Sequence, residues 1–120
     1  MAAPNVANVQ LITGKVAGVA IGATATDLVA NAASSGKLVR VVSVYVANVD
    51  GLNDATVNVE VQKNAGTSYR ITNTVNVPAD TTLVAVSKDA PIYLEENDKL
   101  RATASAASDL EAVVSYEEIS

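Results

Sequence analysis

Residues 55–77, ATVNVEVQKNAGTSYRITNTVNV, decide the fold class. Val57, Val59 and Val61 alternate with Asn58, Glu60 and Gln62. Tyr69, Ile71, Asn73, Val75 and Val77 alternate with Arg70, Thr72, Thr74 and Asn76. A period of two puts one set on an inward face and the other toward water, which describes half-buried antiparallel strands. Between the runs, Asn64-Ala65-Gly66 supplies the backbone freedom of a hairpin loop. Residues 110–117 repeat the pattern, with Leu110, Ala112, Val114 and Tyr116 inward and Glu111, Val113, Ser115 and Glu117 outward.

Working outward, turn chemistry separates further strands. Ser34-Ser35-Gly36 precedes a run from Leu38; Asp50-Gly51-Leu52-Asn53-Asp54 follows it. Pro78-Ala79-Asp80 and Glu95-Glu96-Asn97-Asp98 close two more. The expected strands are 9–20, 24–31, 37–48, 55–63, 68–77, 82–87, 91–94, 99–105 and 109–117. One strand per roughly 10–14 residues is the spacing of a sandwich. The Ala-rich stretch 102–107 is too short for a helix of its own and lies between strand patterns. The expectation is an all-β, antiparallel β-sandwich of jelly-roll or Ig-like type. A short N-terminal arm (1–10), marked by Pro4 and the polar Asn5 and Asn8, precedes a single domain (11–120). Two readings of the arm stand: a frayed terminus, or a segment pairing with a neighbouring subunit's sheet edge.

Strand 37–48 is apolar on both parities: Val39 and Val41 on one, Val42, Val44 and Val46 on the other. Either a bulge shifts the phase near Val41, or the strand is covered on both sides, which would imply a subunit contact on its outer face. The bulge is preferred because it needs no partner.

Composition sets limits on chemistry. The 120 residues carry a net charge of -5, with 49% hydrophobic and 18% charged side chains, a globular balance. His, Cys, Phe and Trp are absent, and Val and Ala supply most of the apolar content. Without His or Cys there is no Ser-His-Asp or Cys-His nucleophile, no nitrogen- or sulfur-ligated zinc, and no disulfide. The negative charge, the scattered eight Lys and Arg and the four Tyr argue against nucleic acid. No apolar run has the length of a membrane span, and MAAPNVANVQ lacks the basic and apolar regions of a secretory signal. Glu95, Glu96 and Asp98, and separately Asp50, Asn53 and Asp54, offer oxygen ligands. Both read better as turns than as calcium sites: the first as a solvated hairpin turn balanced by Lys99 and Arg101, the second because it lacks the full EF-hand ligand spacing. A carboxylate pair for glycoside hydrolysis would need a cleft that so short a chain has little material to build. The expectation is a non-enzyme without cofactor or metal. Few charges guard the strand edges: Lys15, Lys63, Arg70 and Lys88.

Four stretches then carry a likeness. They are ATATDLVAN (23–31), SSGKLVRVVSVYVANVDG (34–51), YRITNTVNVPADTTLVAVSK (69–88) and APIYLEENDKLRATASAASDLEAVVSYEEIS (90–120). Together they resemble a pattern in small virion structural proteins of tailed bacteriophages. The pattern is a Thr-rich strand, a Gly-Lys turn into a long apolar strand ending in Asn, a Pro-Ala-Asp turn, and an acidic turn before two closing strands. The commoner Glu-Gly-Asp acidic turn is here Glu96-Asn97-Asp98, and Asn tolerates the left-handed backbone that Gly would supply. The resemblance implies a capsid decoration (cement) protein that stabilises the outer shell. Its partners would be the major capsid protein and itself, as a homotrimer; its location would be the virion exterior, after assembly in the bacterial cytoplasm. A tail, baseplate or fibre component and a host-glycan-binding module are the alternatives. The expected contact residues are Pro4, Asn5, Val6 and Asn8 of the arm, Tyr45 of the apolar strand, and Asp50, Leu52 and Asn53 of the loop after it.

Overall fold

In the computed structural model of the chain, residues 10–120 are described. Nine strands follow in order: β1 (Ile12–Ile21), β2 (Thr26–Ala30), β3 (Leu38–Asn48), β4 (Ala55–Gln62), β5 (Ser68–Val77), β6 (Thr82–Val86), β7 (Ile92–Leu94), β8 (Lys99–Ala104) and β9 (Leu110–Ile119). They form two antiparallel sheets. One has the order β1-β9-β3-β6, with β7 also on β3; the other has the order β2-β8-β4-β5.

The order has a simple origin. β4 pairs with β5 across the 63–67 turn, β3 with β6 and β7, β2 with β8, and β1 with β9. The chain is thus one long nested hairpin, rolled so that its plies separate into two sheets. That is jelly-roll connectivity, and it settles the choice between jelly-roll and Ig-like sandwiches. β6 and β7 act as one interrupted edge strand, since both run antiparallel to β3 and are parted by residues 87–91.

The core between the sheets is small-residue and aliphatic. Val39, Val41, Val44, Val46, Val57, Val59, Leu94, Leu100, Leu110 and Val114 are all below 2% exposed. β3 reaches this burial on both parities by a bulge: Val41 pairs with Tyr116 and Ser43 with Ser115, leaving Val42 as the extra residue. The phase flips there, so Val39 and Val41 before it and Val44 and Val46 after it all face inward. No covering partner is needed to account for the pattern.

β5 departs from strict alternation. Asn73, expected inward, is exposed. Two register shifts against β4 are the cause: Val57 pairs with Val75, Val59 with Thr72, and Glu60 with Arg70. At the first, Thr74 takes a left-handed backbone (φ 53°) and donates its N–H to Asn58 Oδ1. Between the two shifts, the Thr72 hydroxyl accepts the Val59 N–H at 3.0 Å and donates to the Val57 carbonyl at 3.3 Å. A side chain thereby takes the place of a displaced ladder partner.

Two buried asparagines fix opposite ends of the sandwich. Asn48 Nδ2 donates to the carbonyls of Val77 (2.9 Å) and Asn53 (3.0 Å), and its Oδ1 accepts the Asp50 N–H. Asn31 Nδ2 donates to the carbonyls of Lys37 (2.9 Å) and Leu94 (3.0 Å). The 95–98 turn forms as expected, with Asn97 left-handed at φ 71°. The first strand starts at Ile12, later than expected, and the last runs on to Ile119. Arm residues Pro4, Asn5, Val6 and Asn8 lie outside the described residues. Gln10 and Leu11 both donate their N–H groups to the Ser120 carbonyl, at 2.9 and 3.0 Å.

Candidate interaction surface

Cross-strand partners share a sheet face, so the registers define the two outer surfaces residue by residue. On the four-stranded sheet, Asp27 pairs with Arg101, Arg101 with Glu60, and Glu60 with Arg70. Charges alternate in sign across all four strands. Asp27 also holds Lys99 at 3.3 Å and Arg101 at 3.7 Å. Asp27 and Arg70 at the ends of this row are exposed, while Glu60 in its middle is only 9% exposed.

The five-stranded sheet carries the opposite arrangement. Gly18 pairs with Val113, Val113 with Tyr45, and Tyr45 with Val84. Three of the four are large apolar side chains left in water: Val84 is 53%, Val113 47% and Tyr45 44% exposed. Val16, one outward position along β1 from Gly18, is 70% exposed. Glu111 lies on one side of this row, and on the other the Arg40–Glu117 ion pair (3.1 Å). Shallow depressions of about 320 Å³ beside Gly14 and about 230 Å³ beside Gly18 run along β1 and β9. At both glycines nothing lies within 4 Å of where a Cβ would stand.

Tyr45, expected as a contact residue, stands in this apolar row. The loop residues lie beyond the end of β3 and behave differently from one another. Leu52 is 89% exposed at the loop's surface. The Asp50 carboxylate is spent on its own loop: Oδ1 accepts the N–H groups of Leu52 (2.8 Å) and Asn53 (3.3 Å), and Oδ2 accepts Asn53 Nδ2 (3.2 Å). The Leu52 N–H, helped by the Asn53 side chain, holds this carboxyl below its usual range. Asp50 and Asn53 therefore shape the loop that presents Leu52. Val16, Val84 and Val113 were missed as surface candidates. Val113 carried a signal, as an apolar residue on the water parity of residues 110–117.

The acidic turn is a lock. Asp98 is 1% exposed. Its Oδ1 accepts the Asn64 N–H (2.9 Å); its Oδ2 accepts Lys63 Nζ (2.6 Å) and the Glu95 N–H (2.9 Å). Burial pushes the carboxyl upward, but Lys63 and the two backbone donors outweigh it and hold the group below its usual range. Lys63 is raised in turn by the Asp98 bond. The carboxylate thus ties the β4–β5 turn to the β7–β8 turn. No group of three or more carboxylates placed to hold a metal occurs among the described residues. A second cluster has Glu118 between Lys15 (2.9 Å) and Lys37 (3.2 Å); the Lys15 bond chiefly holds the Glu118 carboxyl below its usual range.

No protein-family model matches the chain. No curated protein matches it either.

Proposed function

We propose that the protein is a non-enzymatic structural component of a tailed-phage virion, a decoration protein that docks on the outer capsid shell and stabilises it. The observation that carries this reading is the exposed apolar row Val113–Tyr45–Val84 on one sheet, set against a fully charged row on the other. A module with one face suited to drying and one suited to water is built to lie on a protein surface. The resemblance over about residues 24–120 supplies the setting, and the net charge of -5 suits an outer surface better than one facing DNA. The mechanism is mechanical: each copy adds buried interface across capsid subunit boundaries and raises the barrier to rupture.

An antibody against the purified protein, gold-labelled and applied to virions of the phage that encodes the chain, tests the location. Label spread over the head supports the reading. Label confined to the tail or baseplate replaces it with a tail component, and unlabelled particles end it. Binding of Tyr45→Arg protein to undecorated shells, followed by co-sedimentation, then tests the face; undiminished binding removes the apolar row from the account.

A further inference from the structure

Sheet edges expose unpaired backbone N–H and C=O groups, and stable soluble proteins blunt them with short strands, bulges, Pro or charge. Three of the four edges here are blunted in those ways. β2 has five residues, an exposed Asp27 and a register shift at Leu28. β5 has two register shifts and exposed Arg70, Asn73 and Asn76. The β6–β7 edge is cut by residues 87–91, which include Lys88, Asp89 and Pro91, and carries a register shift of its own.

β1 is the exception. It is ten residues long, pairs with β9 through ten consecutive partners without a register shift, and contains no Pro. Its one charge is Lys15, already bound to Glu118. Among the described residues nothing is hydrogen-bonded to its other side. Its outward positions alternate in size: Gly14, Val16, Gly18, Ala20.

We propose that this edge pairs with β1 of a second copy of the chain, antiparallel about a twofold axis at Ala17. That register keeps the two outer faces on the same side and sets Val16 of each copy opposite Gly18 of the other. The most exposed apolar side chain of the strand then meets the open space over a glycine. Lys15 falls opposite Val19, so the two lysines stay apart. The pairing is isologous and closes at two copies. It joins the two apolar outer faces into one surface, and it stands whether or not that surface docks on a capsid.

Three measurements decide it. Light scattering behind size exclusion should give a mass near twice 12.3 kDa. Val16→Lys places like charges on either side of the seam at a position exposed in the single chain, and should return the mass to one copy without lowering the melting temperature. The chain has no cysteine, so Ala17→Cys gives a single thiol. At the axis the two Cα atoms stand about 4.5–5.5 Å apart, within disulfide range. Mild oxidation should therefore convert most of that variant to a covalent dimer and leave Thr13→Cys uncrosslinked. A monomer at every concentration, a trimer, a dimer indifferent to Val16→Lys, or equal crosslinking at both positions would each overturn the proposal.

Discussion

Replacing Asp98 by Asn tests the lock between the two turns. The substitution conserves volume and keeps one acceptor, which can serve the Asn64 N–H. It removes the charge and turns an amide NH2 toward Lys63 Nζ and the Glu95 N–H, which Oδ2 now accepts at 2.6 and 2.9 Å. Hydrogen bonds to a charged group contribute about 1.5–3 kcal/mol each. Losing two, with donor facing donor at a site 1% exposed, costs about 3–5 kcal/mol. The whole domain has only about 5–15 kcal/mol of stability. At about 4 °C per kcal/mol for a chain of this size, Tm should fall by ~12–20 °C.

Thermal melts followed by far-UV circular dichroism at pH 7 read this directly. A fall under about 3 °C would refute the argument. The pH dependence adds a second check. The folded carboxyl titrates below its unfolded value of about 3.9, so its contribution is fully present above that value and is lost as pH falls through the folded one. The gap between wild type and Asp98→Asn should therefore close in acid. Lys63→Met should cost less, about 1–2 kcal/mol: water screens the lysine's share at 42% exposure, but the buried carboxylate loses its counter-charge and keeps only the Asn64 and Glu95 N–H groups.

Three further outcomes follow from the geometry. Ala65 sits left-handed (φ 54°) in the β4–β5 turn, so Ala65→Gly should stabilise the protein by ~0.5–1 kcal/mol, seen as a higher urea midpoint. Thr72→Val keeps the shape of the side chain but strands the Val59 N–H, and should cost about 1–3 kcal/mol in the same urea titration. Tyr45→Arg should change Tm by less than ~2 °C, because its side chain faces water on the sheet's outer face; a larger drop would mean that Tyr45 supports the fold itself.

The strands were legible because β-sheet periodicity is local. Val57, Val59 and Val61 announce their face without reference to anything distant. The β3 bulge was legible for the same reason, as a break in parity within one strand. The β5 bulges were not, since Asn73 and Thr74 fit an unbroken alternation as well as a broken one. What decides them is the Asn58 amide and the Thr72 hydroxyl, each capturing a backbone or ladder position from across the pair. The Asp98 lock was half legible. Its turn could be read, but not that the carboxylate would be buried against Lys63 and Asn64, more than thirty residues away in sequence.

The candidate surface shows where local reading stops. Tyr45, Val84 and Val113 sit in three different strands, and each alone is an ordinary exposed apolar residue. Only the nested pairing order sets them side by side, with Gly18 at the end of the row. The same order sets Asp27, Arg101, Glu60 and Arg70 in line on the opposite face. Drying that charged row would strip water from the exposed Asp27 and Arg70, whose attraction to their neighbours across a surface is worth little. Drying the apolar row costs no such desolvation and gains about 25 cal/mol for each Å² removed from water. The pairing order thus sorts the side chains outside the core into a row of alternating charge on one sheet and a row of exposed apolar groups on the other.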